Sequence, residues 1–469
     1  MALLVPLLNK SIYRDEGATV YSARLSWAAL WRESLVTDRV LLPYYVLIHL
    51  WFDLSYNIDF ARALSLLAYG LTAYFVGLLA ARVAGFWCGL LAVVLTCTNP
   101  LMINAALDGR PYALATMVAV LSVAALLKWF DGGELRFLWI FSVLAIVTAM
   151  LQLFIVLAPL SALGACIVLR PQMWRRQWHR SLPPIAVLVA AVAAFFALVA
   201  HQQSQIAWIS GLKPKRLLED LEGPASSEGG HLIYPVIIAA IGLVALVACI
   251  LVWRRRSSRP SRPEVDRLVV FACWAALPTI ILVLVTAVKP VYVDRYVTAS
   301  VPAMAIALAL LVTYAVRGLG TSPSLPKRAL VGAMVIACFV ILIANSVTDS
   351  RSPNENLRGA AQYIMRNASH SSEVAIPSHF LTGGVEYYLD RSDSPLSLWP
   401  QRSGHRFDAG LILREDQGAF AAAPNNVWLV NDGSVSGVKG FISSLISHGF
   451  DQVSSKTFYG VKVFHFLRD

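Results

Sequence analysis

Apolar stretches of membrane-crossing length recur along this chain, and they leave few architectures open to it. A helix needs about 20 mostly apolar residues to cross a bilayer. Residues 62–83, 85–105, 112–130, 184–200, 232–253, 268–288, 297–316 and 329–347 fit that template. Residues 137–169 form a longer apolar run that divides near Gln152 into two spans. Residues 1–8 are apolar but too short to cross, so the first helix reads as cut short. Counting that stub, the expectation is about eleven spans. Composition agrees: the chain is 57% hydrophobic and 14% charged, well away from a soluble globular average. That excludes an ordinary cytosolic enzyme, a disordered chain, a coiled coil and a disulfide-stapled secreted module.

Two regions break the pattern. Residues 11–60 read as an outer loop whose segments ATVYSARLSWAALWRESL and LLPYYVLIHLWFDL are helices at the membrane surface or dipping into it. An ordinary span is the other reading of the second segment. After residue 348 the apolar runs shorten, and Ser, Asn and Gly rise. LRGAAQYIMRNAS and VKGFISSLISHGF read as helices. SEVAIPS, NNVWLVND and the alternating TFYGVKVFHFLR read as strands. The expected fold is therefore a polytopic α-helical membrane domain, 1–347, followed by a small α/β domain, 348–469.

The net charge of +11, from 39 Lys+Arg against 28 Asp+Glu, falls mostly into three segments. These are 170–180 with Arg170, Arg175, Arg176 and Arg180, 254–267 with six arginines, and 317–328 with Arg317, Lys327 and Arg328. Even numbers of spans separate them, so the positive-inside rule places all three in the cytoplasm. Residues 11–60, 106–111, 201–231, 289–296 and 348–469 then face outward. The basic balance is a topology signal, and nucleic acid drops out as a partner. Cys88, Cys97, Cys166, Cys249, Cys273 and Cys338 all lie in apolar stretches with no CxxC. The histidines, among them His49, His201, His231, His379 and His405, lack metal-ligand spacing. Neither a structural disulfide nor a zinc site is expected.

The outward polar residues carry what chemistry there is. Arg14-Asp15-Glu16 sets two acids at a membrane boundary, where they are costly unless they face water or a partner. A carboxylate there could act as a general base on a hydroxyl or hold a divalent cation. A solvated polar cap is the plain alternative. Asp108-Gly109-Arg110-Pro111-Tyr112 lies between two spans, with Pro well placed to open the next helix. Asp108 and Arg110 could pair with each other or face an outer cavity. Lys289-Pro290-Val291-Tyr292-Val293-Asp294-Arg295-Tyr296 is a very short outward connection. Its Arg295 suits a lipid phosphate, since guanidinium binds phosphate oxygens bidentately; interfacial anchoring is the alternative. Gln205-Ile206-Ala207-Trp208-Ile209 could line a cavity entrance or simply anchor a Trp at the interface. Asn367-Ala368-Ser369 matches a glycosylation sequon. No GK[ST] phosphate loop and no GxSxG elbow occurs.

The order of these pieces resembles the GT-C membrane glycosyltransferases: a first helix, R-D-E, surface helices, x-x-R-P-Y-A, a late R-Y and an outward α/β domain. Within them it is most similar to the actinobacterial branch of glycosyltransferase family 39, in the protein mannosyltransferase and aminoarabinose transferase-like superfamily. The resemblance implies a bacterial plasma-membrane enzyme that moves a sugar from a polyprenyl-phosphate donor to a hydroxyl on a protein, glycolipid or polysaccharide. It implies Asp15 as the acid facing the acceptor hydroxyl, supported by Glu16, with Asp108 where relatives often carry Glu. Arg295 with Tyr296 falls on the Arg for the donor phosphate, Lys289 assisting, and Arg110 and Tyr112 match the R-P-Y. The sequence departs from relatives at Asp38-Arg39-Val40-Leu41-Leu42-Pro43-Tyr44-Tyr45, where many have His or Glu-Lys; Asp38 or Arg39 could substitute. Gln152 stands where many have His. A flippase for lipid-linked sugars and an inactive scaffold are the competing readings. Charges clustered at the outer boundary, rather than at mid-membrane, favour the transferase over a transporter.

Overall fold

The computed structural model describes residues 10–36, 38–202, 209, 211, 236, 239, 262–318, 355–369, 371–377, 379–390, 396–399, 420, 423–432 and 435–468. The stub 1–8, the span expected at 329–347 and all of the span expected at 232–253 except residues 236 and 239 lie outside the described residues, as do the expected loop 317–328 beyond residue 318 and most of 201–231. By chain contacts the protein forms two compact units. One comprises 1–5, 31–44 and 62–352; the other comprises 6–30, 45–61 and 353–469. The second grouping departs from the linear division at residue 347. Two pieces of the segment expected as the first outer loop belong with the C-terminal segment, because they pack on it.

The first unit is helical. Its described helices are α4 (Ile58–Ala84, from Arg62 on), α5 (Phe86–Cys97), α6 (Pro100–Ala106), α7 (Tyr112–Gly132), α8 (Leu135–Leu151), α9 (Leu157–Leu169), α10 (Pro171–Val199), α11 (Arg262–Thr286) and α12 (Val301–Gly318). Among the described residues, five helices are long and apolar enough to cross a membrane, or six if one bent pair counts as a span. The expected span 85–105 is that bent pair: α5 and α6 meet at 68°. Thr98-Asn99-Pro100 breaks it, since Asn99 Oδ1 accepts from Met102 N at 3.1 Å and Pro100 opens α6. The run 137–169 divides at Gln152, which caps α8 before a 3-10 turn, Leu153–Val156. At 17 and 13 residues, α8 and α9 are about 26 and 20 Å long, shorter than a standard span. Residues 171–180, expected as a loop, are the first turns of α10.

The second unit gathers helix α1 (Arg14–Arg24), the start of α2 (Trp27–Val36), most of α3 (Leu42–Phe52), α13 (Leu357–Asn367), α14 (His379–Asp390), α15 (Val435–Ser447) and a sheet. The surface helix expected over 18–35 is broken at Leu25-Ser26, where Ser26 Oγ caps the next helix through Ala29 N at 3.3 Å. At 11 residues α3 is about 16 Å long, too short to span. Helix α1 lies on α14 along a glycine seam. A Cβ at Gly17 would stand 2.8 Å from Gly384 N, and one at Gly383 would collide with the Gly17 carbonyl.

The sheet runs in the order β2-β1-β3-β5-β4. β1 (Glu373–Ala375) is parallel to β2 (Ser397–Trp399) and β3 (Asn426–Asn431), and β5 (Val461–Arg468) is antiparallel to β3 and β4 (Phe450–Phe458). The alternating run 457–468 is not one strand. Tyr459-Gly460, with Gly460 at φ +68°, folds it into a hairpin. Phe420, Phe441, Phe450 and Phe466 pack with Val427, Leu429 and Leu445 as a core. Leu357, Ala360, Ala361 and Ile364 form the buried stripe of α13, the i, i+3, i+4, i+7 spacing of an amphipathic helix.

His465 stacks on Trp428 with ring centroids 4.0 Å apart, and its Nε2 lies 2.9 Å from Asn426 Oδ1. Burial holds its pKa below the ordinary imidazole range. The unfolded chain therefore binds more protons near that range, so stability is full above about pH 6.5 and falls as pH drops below it. In thermal melts, the wild type should lose more stability between pH 7 and pH 5 than a His465→Gln protein. Parallel pH curves for the two would refute the assignment.

Candidate active site

In the first unit, two of the sequence motifs meet at one end of α7. Pro111 caps this helix, and Tyr112 is its first residue. The preceding loop is tied to α4, where Ser65 Oγ donates to the Arg110 carbonyl at 3.4 Å. Arg110 is buried. The second motif follows α11. Thr286 Oγ1 accepts from the N–H groups of Val291 (3.4 Å) and Tyr292 (3.0 Å), which turns the chain back at once. The chain then enters a 3-10 turn, Asp294–Ser300, that leads into α12. Thr298 Oγ1 donates to the Arg295 carbonyl at 2.8 Å, and Ser300 Oγ to the Trp274 carbonyl at 3.3 Å. These bonds set two neighbours in place. The Arg295 guanidinium lies 5.6 Å from the Tyr112 ring centroid, a cation–π distance. Tyr296 stacks on Phe154 at 5.0 Å, in the turn just after Gln152. Lys289 sits in the turn that ends α11, its N–H on the Val285 carbonyl at 2.8 Å.

The far end of α7 has the opposite character. Gly133, at φ +72°, ends the helix in the left-handed region, and Arg170 donates to the Phe130 carbonyl at 3.2 Å. Arg267 pairs with Asp131 at 2.9 Å. Residues of two basic segments thus converge on one end of α7, and Arg295 stands by the other. The helix has 21 residues, about 31 Å, so these groups are a membrane thickness apart.

Asp38 and Arg39 form a separate turn in the same unit. Asp38 adopts the left-handed conformation at φ 50°, which Asp tolerates better than most residues. Gln202 clasps the turn: its Oε1 accepts from Arg39 N at 2.8 Å, and its Nε2 donates to the Ser34 carbonyl at 3.0 Å. Gln205-Ile206-Ala207-Trp208 lies outside the described residues.

Asp15 and Glu16 belong to the second unit. They occupy the first turn of α1, where acids face the positive end of the helix dipole. Asp15 is half-buried, whereas Glu16 is 1% exposed. The segment leading into them is fastened at successive residues. Arg358 Nη2 donates to the Lys10 carbonyl (3.2 Å), Arg358 N to Ser11 Oγ (3.1 Å), and Ile12 N to the Tyr388 hydroxyl (2.9 Å). Arg14 pairs with Glu355, with Asp432 at 3.8 Å. Burial works against the Arg14 charge, but these acids outweigh it and its pKa rises. At the other end of α1, Arg24 pairs with Asp390 and stands 5.3 Å from the Tyr56 ring centroid. Burial pushes the Tyr56 phenol well above its ordinary range, so it stays neutral.

Sequence reading missed Arg62, which is 1% exposed. It lies three residues before Ser65, on the α4 face that meets the Arg110 loop. The signal was a charge at the first position of the apolar run 62–83, where it passed as a flank. Gln202, Glu355 and Tyr388 were missed as well, since only long-range contacts reveal them. Among the described residues, no three His, Cys, Asp or Glu side chains gather as a metal site.

No family model matches the chain, and no curated protein does. Solved structures do. ArnT from Cupriavidus metallidurans in the apo state is similar over 91% of this chain and 86% of its own, with 14% identity and a TM-score of 0.55. The same protein bound to undecaprenyl phosphate gives 14% identity, the same coverage and a TM-score of 0.53. The arabinofuranosyltransferase AftD from Mycobacteria gives 15% identity and a TM-score of 0.47 over 91% of this chain and 35% of its own, too low to add to the argument. The likeness to ArnT extends over nearly the whole of both chains, and this protein has the fold of the GT-C membrane glycosyltransferases.

Proposed function

We propose that this chain is a glycosyltransferase that moves a sugar of the mannose or arabinose kind from a polyprenyl-phosphate donor to an acceptor hydroxyl. The reaction takes place on the outer face of a bacterial plasma membrane. The acceptor is a protein, a glycolipid or a polysaccharide. The observation that carries this reading is the placement of Arg295 beside Tyr112, at the end of α7 opposite Arg170 and Arg267. Under the positive-inside rule the Arg170 and Arg267 end is cytoplasmic, so Arg295 meets the outer leaflet, where a lipid-linked donor would present its phosphate. The fold shared with ArnT, a protein solved with undecaprenyl phosphate bound, supports a lipid-phosphate donor.

In this mechanism Arg295 holds the phosphate oxygens through its planar fork and stabilises the charge that builds on them as the glycosidic bond breaks. Lys289 and Arg110 add positive charge, and Tyr112 and Tyr296 shape the pocket. Asp38 and Arg39 serve at its edge. Asp15 takes the proton of the acceptor hydroxyl as that oxygen attacks the anomeric carbon and inverts it. Glu16, its neighbour in the first turn of α1, supports the acid, and Asp108 is a further candidate catalytic carboxylate, in the first unit. The membrane body has about eleven spans, and residues 348–469 form an extracytoplasmic α/β domain.

The test is release of free undecaprenyl phosphate from undecaprenyl-phosphate mannose and undecaprenyl-phosphate arabinose by the protein in native membranes. Release that depends on acceptor supports a transferase; transport of the donor without release overturns it. Arg295→Lys keeps the charge and loses the fork, so donor turnover should fall about tenfold, or 1.4 kcal/mol. Undiminished turnover would remove Arg295 from the phosphate site.

A further inference from the structure

We propose that Glu355 is a positioning residue for the acids of α1, an inference that rests on the reading of Asp15 as the base. Helix α1 has no side-chain cap of its own: Tyr13, the residue that precedes it, makes no capping hydrogen bond through its side chain. Its first N–H is capped instead from far along the chain. Glu355 Oε2 accepts from Arg14 N at 3.0 Å, and Glu355 Oε1 accepts from Arg14 Nε at 2.6 Å. The carboxylate thus spans backbone and guanidinium of the residue next to Asp15. It does so where a helix N-terminus favours negative charge.

Glu355 is itself held. The next residue's N–H donates to the Tyr459 carbonyl at 2.9 Å, and Gly460 leaves room for the Glu355 side chain, since a Cβ there would stand 2.9 Å from Glu355 Cγ. The β4–β5 hairpin turn is thereby linked through Glu355 to the first turn of α1. Helix ends fray when a cap is lost. A frayed first turn would move Asp15, whereas Arg295 is held within the first unit by its own hydrogen bonds. Displacements near 1 Å can cost a hundredfold in rate. The loss should therefore fall on kcat and spare the KM for the lipid donor.

The test compares the full-length wild type with Glu355→Gln and Glu355→Asp in nanodiscs. Hydrogen exchange of peptides covering residues 12–20 needs no substrate. It should quicken about tenfold in Glu355→Gln and less in Glu355→Asp, which keeps the charge one methylene short. With undecaprenyl-phosphate mannose or arabinose as donor, kcat should fall about tenfold in Glu355→Gln and recover in step with protection in Glu355→Asp, with KM within twofold. Unchanged exchange overturns the proposal, and so does loosened exchange with full kcat. Full turnover by Asp15→Asn in the same assay would instead sink the reading of Asp15, and the exchange result would still report whether Glu355 holds α1.

Discussion

Asp15→Asn should abolish most sugar transfer while leaving the protein folded. A general base typically contributes 10²- to 10⁴-fold, so acceptor-dependent release of undecaprenyl phosphate should drop by about that factor. Asn cannot take a proton, yet it has nearly the same shape. The structural cost of the change is small: Asp15 is half-buried in the first turn of α1, and losing a negative charge there is worth about 0.3–1 kcal/mol. A large activity loss with a melting temperature lowered by at most a few degrees is therefore the expected pair of results. Full transfer by Asp15→Asn would end its assignment as base. Glu16→Gln should behave differently. Glu16 is 1% exposed, so its change should lower stability along with activity.

Gly383→Val should give the largest loss of stability. A side chain at that position runs into the backbone of Gly17 and stands 2.9 Å from Tyr21 Cβ. Backbone cannot step aside as a rotamer can, so α1 and α14 must part. Overpacking of this kind costs about 3 kcal/mol or more. Gly384→Ala, the adjacent change, should be much milder. Its new methyl meets mainly the tip of the Leu357 side chain, Cδ1, which can rotate. Melting temperatures and proteolysis of residues 10–24 would rank the two. Equal effects would show that the seam is not what holds α1.

The first unit was largely legible from its apolar periods. The run ends near 112, 268 and 297 lie within a few residues of α7, α11 and the turn into α12, because solvation in lipid rewards continuous apolar length whatever surrounds it. Two local signals were misread. Asn99-Pro100 inside the 85–105 run is a cap followed by an N1 proline, and it bends the helix. Pro171 likewise opens a helix, so a basic stretch expected as loop became the start of α10. The pairing of Tyr112 with Arg295 was foreseen only as a shared face; the Thr286 turn that brings it about depends on one hydroxyl taking two amides. The second unit was the least legible. Nothing local in RDEGATVYSAR says that its glycine fits the glycines of a helix near the other end of the chain. Such fits are decided by packing, which leaves no period in the sequence.

That glycine seam also sets a clock for biosynthesis. Arg24 and Asp390 are partners 366 residues apart, so α1 emerges from the ribosome long before the helix it rests on. At about 5–20 residues per second of synthesis the wait is roughly 20–70 s. Throughout it, an 11-residue helix with no local cap is too short to persist by itself. A nascent or prematurely terminated chain therefore carries Asp15 on an unformed helix. Asp15 acquires a fixed setting only once the residues from Glu355 to Asp390 have been made, and products that stop short of them should be inert rather than partly active.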